Sequence, residues 1–277
     1  MRIVWVAMLL SLSIYAKLSV AVSILPQQTF LRAIGGDRVD ITVMVKPGSS
    51  PHTYEPKPSQ MRDISHATLY LRAGVEFENT WIDRFRDINK GMKVYDTTKG
   101  IQKLAISGES SSPHHHEELD PHVWTSPANV KIMARDILEI LVENDAVNKS
   151  YYQQNYERFI SDIDKLDSEI RSLFSSLPKG ARFMVFHPSW GYFAKEYGLV
   201  QLPIEVEGKN PKPKMVAKLI KRARAEGIQA LFTAPEFSSK TAKLIANEIG
   251  VPVVKISPLA PNWRENLLKL AKAISAK

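Results

Sequence analysis

Short apolar runs alternate with helical patterns along most of the chain. Apolar runs of strand length lie at residues 18–25, 39–45, 67–72 and 93–95, and again at 182–186, 200–204, 230–233 and 253–256. Between them, apolar residues recur three and four positions apart, as they do on one face of a helix. Strands that alternate with helices are typical of βαβ units, so this pattern predicts an α/β fold.

The most regular helical pattern lies between the two sets of strands. Its apolar side chains recur at alternating steps of four and three, at Tyr152, Tyr156, Phe159, Ile163, Leu166, Ile170, Leu173 and Leu177. The pattern predicts one helix of about 26 residues, which would be roughly 39 Å long. We interpret residues 146–178 as a long rigid helix that joins two βα-sandwich lobes, one at 17–145 and the other at 179–277.

The first sixteen residues have the pattern of an export signal. Arg2 gives a positive start, residues 3–15 are almost uninterruptedly apolar or small, and Ala16 is a suitable cleavage residue. The apolar run is short for a membrane span. A buried N-terminal strand or an uncleaved anchor are the alternatives. We expect a mature chain that begins near Lys17 in the periplasm, without a lipid anchor because the apolar run is followed by no cysteine.

Composition narrows the classes of function. The chain has 277 residues, of which 44% are hydrophobic and 24% charged, and this suits one large domain or two of ordinary size. The net charge is +8, but the basic residues are interleaved with acidic ones and form no Lys/Arg run of five. This pattern favours an ordinary solvated surface over a nucleic-acid-binding one. The absence of cysteine excludes disulfides, thiolate nucleophiles and cysteine-based metal sites.

Three histidines lie in similar settings next to predicted strands or loops. His52, His122 and His187 each adjoin a proline, which would stiffen the loop that presents the ring. Ligands of open α/β sheets collect beyond the carboxyl ends of strands, and three neutral imidazoles gathered there would bind a divalent metal. Asp120 and Glu55 are nearby acceptors for the second ring nitrogen. From the residues alone, three unrelated loop histidines remain the alternative.

A separate cluster of histidines lies at residues 107–121, which carry Gly, Ser, Pro and acids without an apolar period. This composition predicts a mobile loop. Within it, His114, His115 and His116 are candidates for weak, fast-exchanging metal binding, and a neutral surface loop is the alternative. His66, which ends a predicted helix outside any such context, is expected to be structural or exposed.

Five motifs, spread in order over nearly the whole mature chain, resemble those of the solute-binding proteins of zinc and manganese ABC transporters. They are Gly-Ser-Ser-Pro-His-Thr-Tyr-Glu-Pro (48–56), Asp-Pro-His-Val-Trp (120–124), Phe-His-Pro-Ser-Trp-Gly-Tyr-Phe (186–193), Ile-Glu-Val-Glu-Gly-Lys (204–209) and Ser-Pro-Leu-Ala-Pro-Asn-Trp (257–263). The resemblance is closest to the zinc-specific branch. It implies two α/β lobes joined by one long helix, with the metal between the lobes and with His52, His122 and His187 as ligands.

The chain departs from this family at two places. Where many members have an Asp as fourth ligand, this chain has Ser257, and a common Glu-Pro pair is replaced by Ala234-Pro235, with Glu236 displaced. Both changes disfavour manganese, which prefers carboxylate oxygens. The fourth position is then expected to hold water or a carboxylate such as Glu207.

The resemblance implies a non-enzymatic protein that captures Zn²⁺ in the periplasm and delivers it to the membrane permease subunit of an ABC transporter. We expect a monomer that binds no nucleic acid. A manganese-binding member of the same family is one alternative. A zinc hydrolase is the other, because three histidines with an open position also form catalytic zinc sites. Against it, neither HExxH nor G-x-S-x-G is found in the sequence.

Overall fold

The computed structural model describes residues 17–106, 119–205, 211–237 and 240–276. Two four-stranded parallel sheets form its framework. The first has the order β2-β1-β3-β4 and the second β6-β5-β7-β8. The strands are β1 (Leu18–Val22), β2 (Val39–Val43), β3 (Leu69–Arg72), β4 (Lys93–Asp96), β5 (Arg182–Val185), β6 (Val200–Pro203), β7 (Leu231–Thr233) and β8 (Val253–Lys255).

Helices connect consecutive strands and cover the sheets. They are α1 (Leu25–Gly35), α2 (Pro58–His66), α3 (Glu76–Ile88), α4 (Pro127–Asn144), α5 (Lys149–Phe174), α6 (Gly191–Glu196), α7 (Pro213–Ala225), α8 (Lys240–Ile249) and α9 (Trp263–Ser275). The predicted α/β fold is confirmed, and the predicted strand boundaries lie within three residues of the observed ones. The division of the chain at 145 and 179 stays a prediction. Below, the N-terminal lobe means the first sheet with its helices, and the C-terminal lobe the second.

Along the chain, helix α5 lies between the strands of the first sheet and those of the second. It has 26 residues, as the apolar pattern predicted. It ends at Phe174, before the last position of the pattern, and Leu177 packs against the core from the turn that follows. The pattern missed Asn155, which is buried on this helix because its side-chain amide donates to the carbonyl oxygen of Ile34 at 2.9 Å.

The last helix ties the end of the chain to the middle of the molecule. Helix α9 packs along α5, and the Trp263 ring meets Phe30 of α1 edge-on, with 5.2 Å between ring centroids. The buried apolar side chains of the N-terminal sheet, α5 and α9 therefore form one continuous core. A second, smaller core lies between the C-terminal sheet and helices α7 and α8. In the part of the chain that the structure describes, no helix combines the length and the apolarity that crossing a bilayer requires.

The two lobes also meet at the start of α4. Ser126 caps this helix by accepting a hydrogen bond from the Asn129 backbone N–H at 3.2 Å. The Ser126 hydroxyl itself donates to the Glu196 carboxylate of α6, which also accepts from the backbone N–H of Ala128 at 3.1 Å. This contact attaches the start of α4 to helix α6 of the C-terminal lobe.

Candidate metal centre

The structure brings together the three histidines that the sequence singled out. One nitrogen of each ring, from His52, His122 and His187, lies within 4.8 Å of the others. His52 follows β2, His122 directly precedes the 3-10 turn before α4, and His187 follows β5. The cluster therefore draws on both lobes, and its members are 70 and 65 residues apart in the sequence.

The spacing of one pair of ring nitrogens already suits a tetrahedral metal ion. The Nε2 atoms of His52 and His187 are 3.2 Å apart. Two nitrogens bound to one tetrahedral zinc at 2.0–2.1 Å would lie about 3.3 Å apart. The chemistry of this donor set, three imidazoles with a fourth side left for another ligand, also fits a divalent ion such as zinc.

The other nitrogen of each ring is paired with a carboxylate. The Nδ1 atom of His52 lies 2.9 Å from Glu76, that of His122 lies 2.8 Å from Asp120, and that of His187 lies 2.5 Å from Glu205. A carboxylate on Nδ1 fixes the tautomer, turns Nε2 toward the metal and raises the basicity of the ligand. All three rings are therefore oriented for coordination before a metal arrives.

Sequence reasoning identified one of these three carboxylates. Asp120 was predicted as an acceptor, and its Oδ1 accepts from both the backbone N–H and the ring of His122. The expectation for Glu55 was wrong, because this side chain is exposed and Glu76, at the start of α3, pairs with His52. Glu205 was missed, although the register of β5 and β6 pairs residues 18 positions apart, and the same offset leads from His187 to Glu205.

Packing holds the rings in place. Pro51, Pro121 and Pro188, the prolines beside the three histidines, are buried. The His187 ring stacks on Phe237 with centroids 4.7 Å apart, and the His122 ring meets Trp124 edge-on at 5.4 Å. Since these rings have little freedom to rotate, little side-chain entropy remains to be lost when they bind an ion.

Two hydrogen bonds from buried indole rings support this packing. The indole N–H of Trp124 donates to the carbonyl oxygen of Pro258 at 2.8 Å, and that of Trp263 donates to the carbonyl oxygen of Trp124 at 2.7 Å. Both indoles belong to buried residues. The loop that carries His122 is therefore attached to the loop after β8 in the C-terminal lobe.

The surroundings of the site favour neutral imidazole and ionised carboxylate. Burial lowers the pKa of His187 below its ordinary value of 6.5, and the nearby His122 and His52 rings lower it further, against the opposing effect of Glu205. Burial alone would raise the pKa of Glu76, but the hydrogen bond and the charge of His52 bring it below its ordinary value of 4.5. Neutral imidazole is the form that binds metal.

Metal affinity should therefore depend on pH in a defined direction. Because the pKa of His187 is lowered, this ring stays neutral at pH 7, and protons compete with the metal only as the pH falls through that lowered value. Zinc titrations between pH 8 and pH 5 should show affinity that falls as the pH decreases through the lowered pKa of His187. Affinity that rises on acidification would contradict this reasoning.

The lowered pKa of His187 also affects the stability of the metal-free protein. In the unfolded chain His187 has its ordinary pKa of 6.5, so below that pH the unfolded state binds more protons than the folded state. The free energy of unfolding contributed by this group is therefore undiminished above pH 6.5 and decreases as the pH falls through the lowered pKa.

Other residues that the sequence singled out lie elsewhere. His114, His115, His116 and Glu207 lie outside the described residues, as does the predicted signal at 1–16. His66 is exposed at the end of α2. Ser257 follows β8, and its hydroxyl donates to Glu236 Oε1 at 2.8 Å. Glu236 follows β7 and lines the same cavity as the three histidines.

Comparisons with known proteins found similar proteins over most of the length of this chain. The family model of the zinc-uptake complex component A, periplasmic (ZnuA), matches residues 20–276. The high-affinity zinc uptake system protein ZnuA of Bacillus subtilis is 30% identical over 253 residues, which cover 88% of this chain and 79% of that protein. A crystal structure of a ZnuA deletion mutant with zinc bound is 39% identical, with a TM-score of 0.85 over 94% of this chain and 97% of that one. The manganese ABC transporter substrate-binding lipoprotein PsaA of Streptococcus pneumoniae is 26% identical over 232 residues, 79% of this chain and 73% of that protein.

Proposed function

This chain belongs to the family of periplasmic zinc-uptake complex components, ZnuA, and we propose that it captures Zn²⁺ in the periplasm and delivers it to the permease subunit of an ABC transporter. The observation that carries the proposal is the convergence of three imidazole nitrogens, each ring backed by its own carboxylate. His52, His122 and His187 are the proposed ligands of the transported ion. The protein acts as a monomer, released to the periplasm by removal of residues 1–16.

Capture and release both follow from this arrangement. The oriented rings replace the water of an incoming ion without reorganisation, and the three carboxylates stabilise the added positive charge. Because the site takes ligands from both lobes while α5 restricts their relative motion, release depends on rearrangement of the ligand loops. Residues 114–116, outside the described part of the chain, would hold a second, weaker ion and gather zinc near the site.

Two measurements test the proposal. Metal analysis of protein purified without added metal or chelator should find zinc in near one-to-one ratio. Cells that lack the protein should grow poorly when zinc is chelated, and the wild-type chain should restore growth where the His187→Ala variant does not. Protein that carries no zinc and a deletion without a zinc phenotype would together reject the function.

Manganese transport is a second candidate, favoured by the similarity to PsaA and by the carboxylate of Glu236 in the cavity. Ser257 lies beside Glu236, so Ser257→Asp would bring a second carboxylate to the same side of the site. Competition titrations should show that this variant binds manganese better, relative to zinc, than the wild type does. An unchanged affinity ratio would show that position 257 does not face the metal.

We also propose that the ion is cargo and that the protein has no enzymatic activity. The matched relatives named above are transport proteins, and binding with release needs no chemical step. Zinc-loaded wild type should hydrolyse simple esters no faster than metal-free protein does. Hydrolysis that requires both zinc and His187 would favour the hydrolase instead.

A further inference from the structure

A carboxylate of the C-terminal lobe faces the cavity of the three histidines. Glu236 lines this cavity together with His52, His122 and His187. Phe237, its neighbour, stacks on the His187 ring at 4.7 Å and fixes the loop after β7 against the site. Among the described residues that line the cavity, Glu236 is the one carboxylate, because Glu76, Asp120 and Glu205 lie behind the rings, on their Nδ1 atoms.

The two oxygens of Glu236 are in different situations. Oε1 accepts a hydrogen bond from the Ser257 hydroxyl at 2.8 Å. The Ser257 oxygen in turn accepts from the backbone N–H of Leu259 at 3.0 Å, so its own hydrogen is directed to Glu236. Oε2 is shielded from solvent and has no hydrogen-bond partner in the described part of the chain. A buried carboxylate oxygen without a partner is costly, and a bound cation would remove that cost.

We propose that Glu236 is the fourth protein ligand of the metal, through Oε2, and that Ser257 positions it through Oε1. This inference rests on the proposed function and names the residue that occupies the position left open by the three histidines. The three ring nitrogens form their group within 4.8 Å without Glu236. Binding therefore draws the carboxylate inward by a change of its side-chain torsions, and the hydrogen bond from Ser257 keeps it on the metal side of the loop.

A fourth ligand from this loop has a consequence for both affinity and selectivity. Three imidazoles and one carboxylate form a closed tetrahedral set, which holds zinc more firmly than three imidazoles and a water. A carboxylate oxygen also matters more to manganese than to zinc. Removing it should therefore weaken the binding of both ions, and that of manganese by the larger factor.

The test compares zinc affinity in four full-length proteins by competition with a chelator of known affinity. Glu236→Gln keeps the size of the side chain but removes its charge, and it should weaken zinc binding at least as much as the ~10- to 100-fold expected for loss of an outer carboxylate. Glu248→Gln, on an exposed acid of the same lobe, is the matched control and should leave the affinity unchanged. Ser257→Ala should weaken binding by a smaller factor, because the ligand stays but loses its support.

The same four proteins distinguish a variant that misfolds from a failure of the proposed function and from a failure of the inference about Glu236. Equal melting temperatures of the metal-free variants show that they fold. If the wild type binds zinc tightly and Glu236→Gln binds it equally well, the inference is overturned while the proposed function stands. If the wild type itself lacks tight zinc binding, the proposed function fails first.

A zinc-anomalous map of the wild type provides a measurement independent of any variant. An oxygen of Glu236 at about 2.0–2.2 Å from the metal supports the inference. A water in that position, with Glu236 still on Ser257 alone, overturns it.

Discussion

The His187→Ala variant should lose zinc affinity by about two orders of magnitude or more, because it removes one of three oriented ligands. Loss of an outer carboxylate alone typically costs about 10- to 100-fold in metal affinity, and a ligand should cost at least as much. The ring leaves a gap beside Phe237 that water fills poorly. His52→Ala should behave alike. Isothermal titration with a competing chelator measures both variants.

The control for this experiment is the histidine run at 114–116. The sequence predicts a loop without apolar anchors here, and such a loop would have to be ordered to bind an ion, at a cost of roughly 1–2 kcal/mol per residue in backbone entropy. Replacing His114, His115 and His116 together by alanine should therefore leave the tight binding event intact and remove only a weaker second event. The ligand assignment is wrong if this triple variant loses tight binding while His187→Ala retains it.

Zinc should also stabilise the folded protein strongly. An ion that binds the folded state alone adds about 4.1 kcal/mol to the free energy of unfolding when it is present at 1,000 times its dissociation constant. For a chain of this size, that should raise the melting temperature by roughly 10 °C. The unfolded chain cannot match this binding, because the three rings come from segments that only folding brings together. Differential scanning calorimetry of metal-free and zinc-loaded protein measures the shift.

The His187→Ala variant is the control for the predicted stabilisation by zinc. Zinc should raise the melting temperature of His187→Ala far less than that of the wild type, and a chelator should reverse the shift in the wild type. A melting temperature that is insensitive to micromolar zinc would count against a high-affinity site. An equal shift in both proteins would place the stabilising ion elsewhere.

Local sequence determined most of the fold. Strand-length apolar runs and helical periods predicted the observed strands and helices, because a parallel strand that is buried on both faces is apolar throughout. A helix that buries one face repeats its apolar residues with a period of 3.6. The length of α5 followed from the same rule. The pattern missed Asn155, which is buried because of a distant hydrogen-bond partner, the carbonyl oxygen of Ile34. Periodicity records burial and carries no information about a particular partner.

The three candidate ligands could also be identified from the sequence, but their convergence at one site could not be derived from the residues alone. His52, His122 and His187 were marked by their loops, their prolines and the family motifs, all of which are local. That one nitrogen of each ring lies within 4.8 Å of the others was decided by the tertiary packing, which brings together the segments after β2 and β5 and the segment before α4.

The partners of two of these rings, those of His52 and His187, were decided by tertiary structure alone. Glu205 reaches His187 because β5 and β6 are adjacent and paired in register. Glu76 and His52 come from the segments after β3 and β2, which β1 separates in the sheet, and they meet beyond the end of β1. The contact of Ser257 with Glu236 joins loops that follow two adjacent strands, β7 and β8. The sequence by itself therefore determined which segments form strands and helices and which histidines could bind a metal. The three-dimensional packing decided which carboxylates orient His52 and His187, since a hydrogen bond depends on distance in space and leaves no periodic trace along the chain.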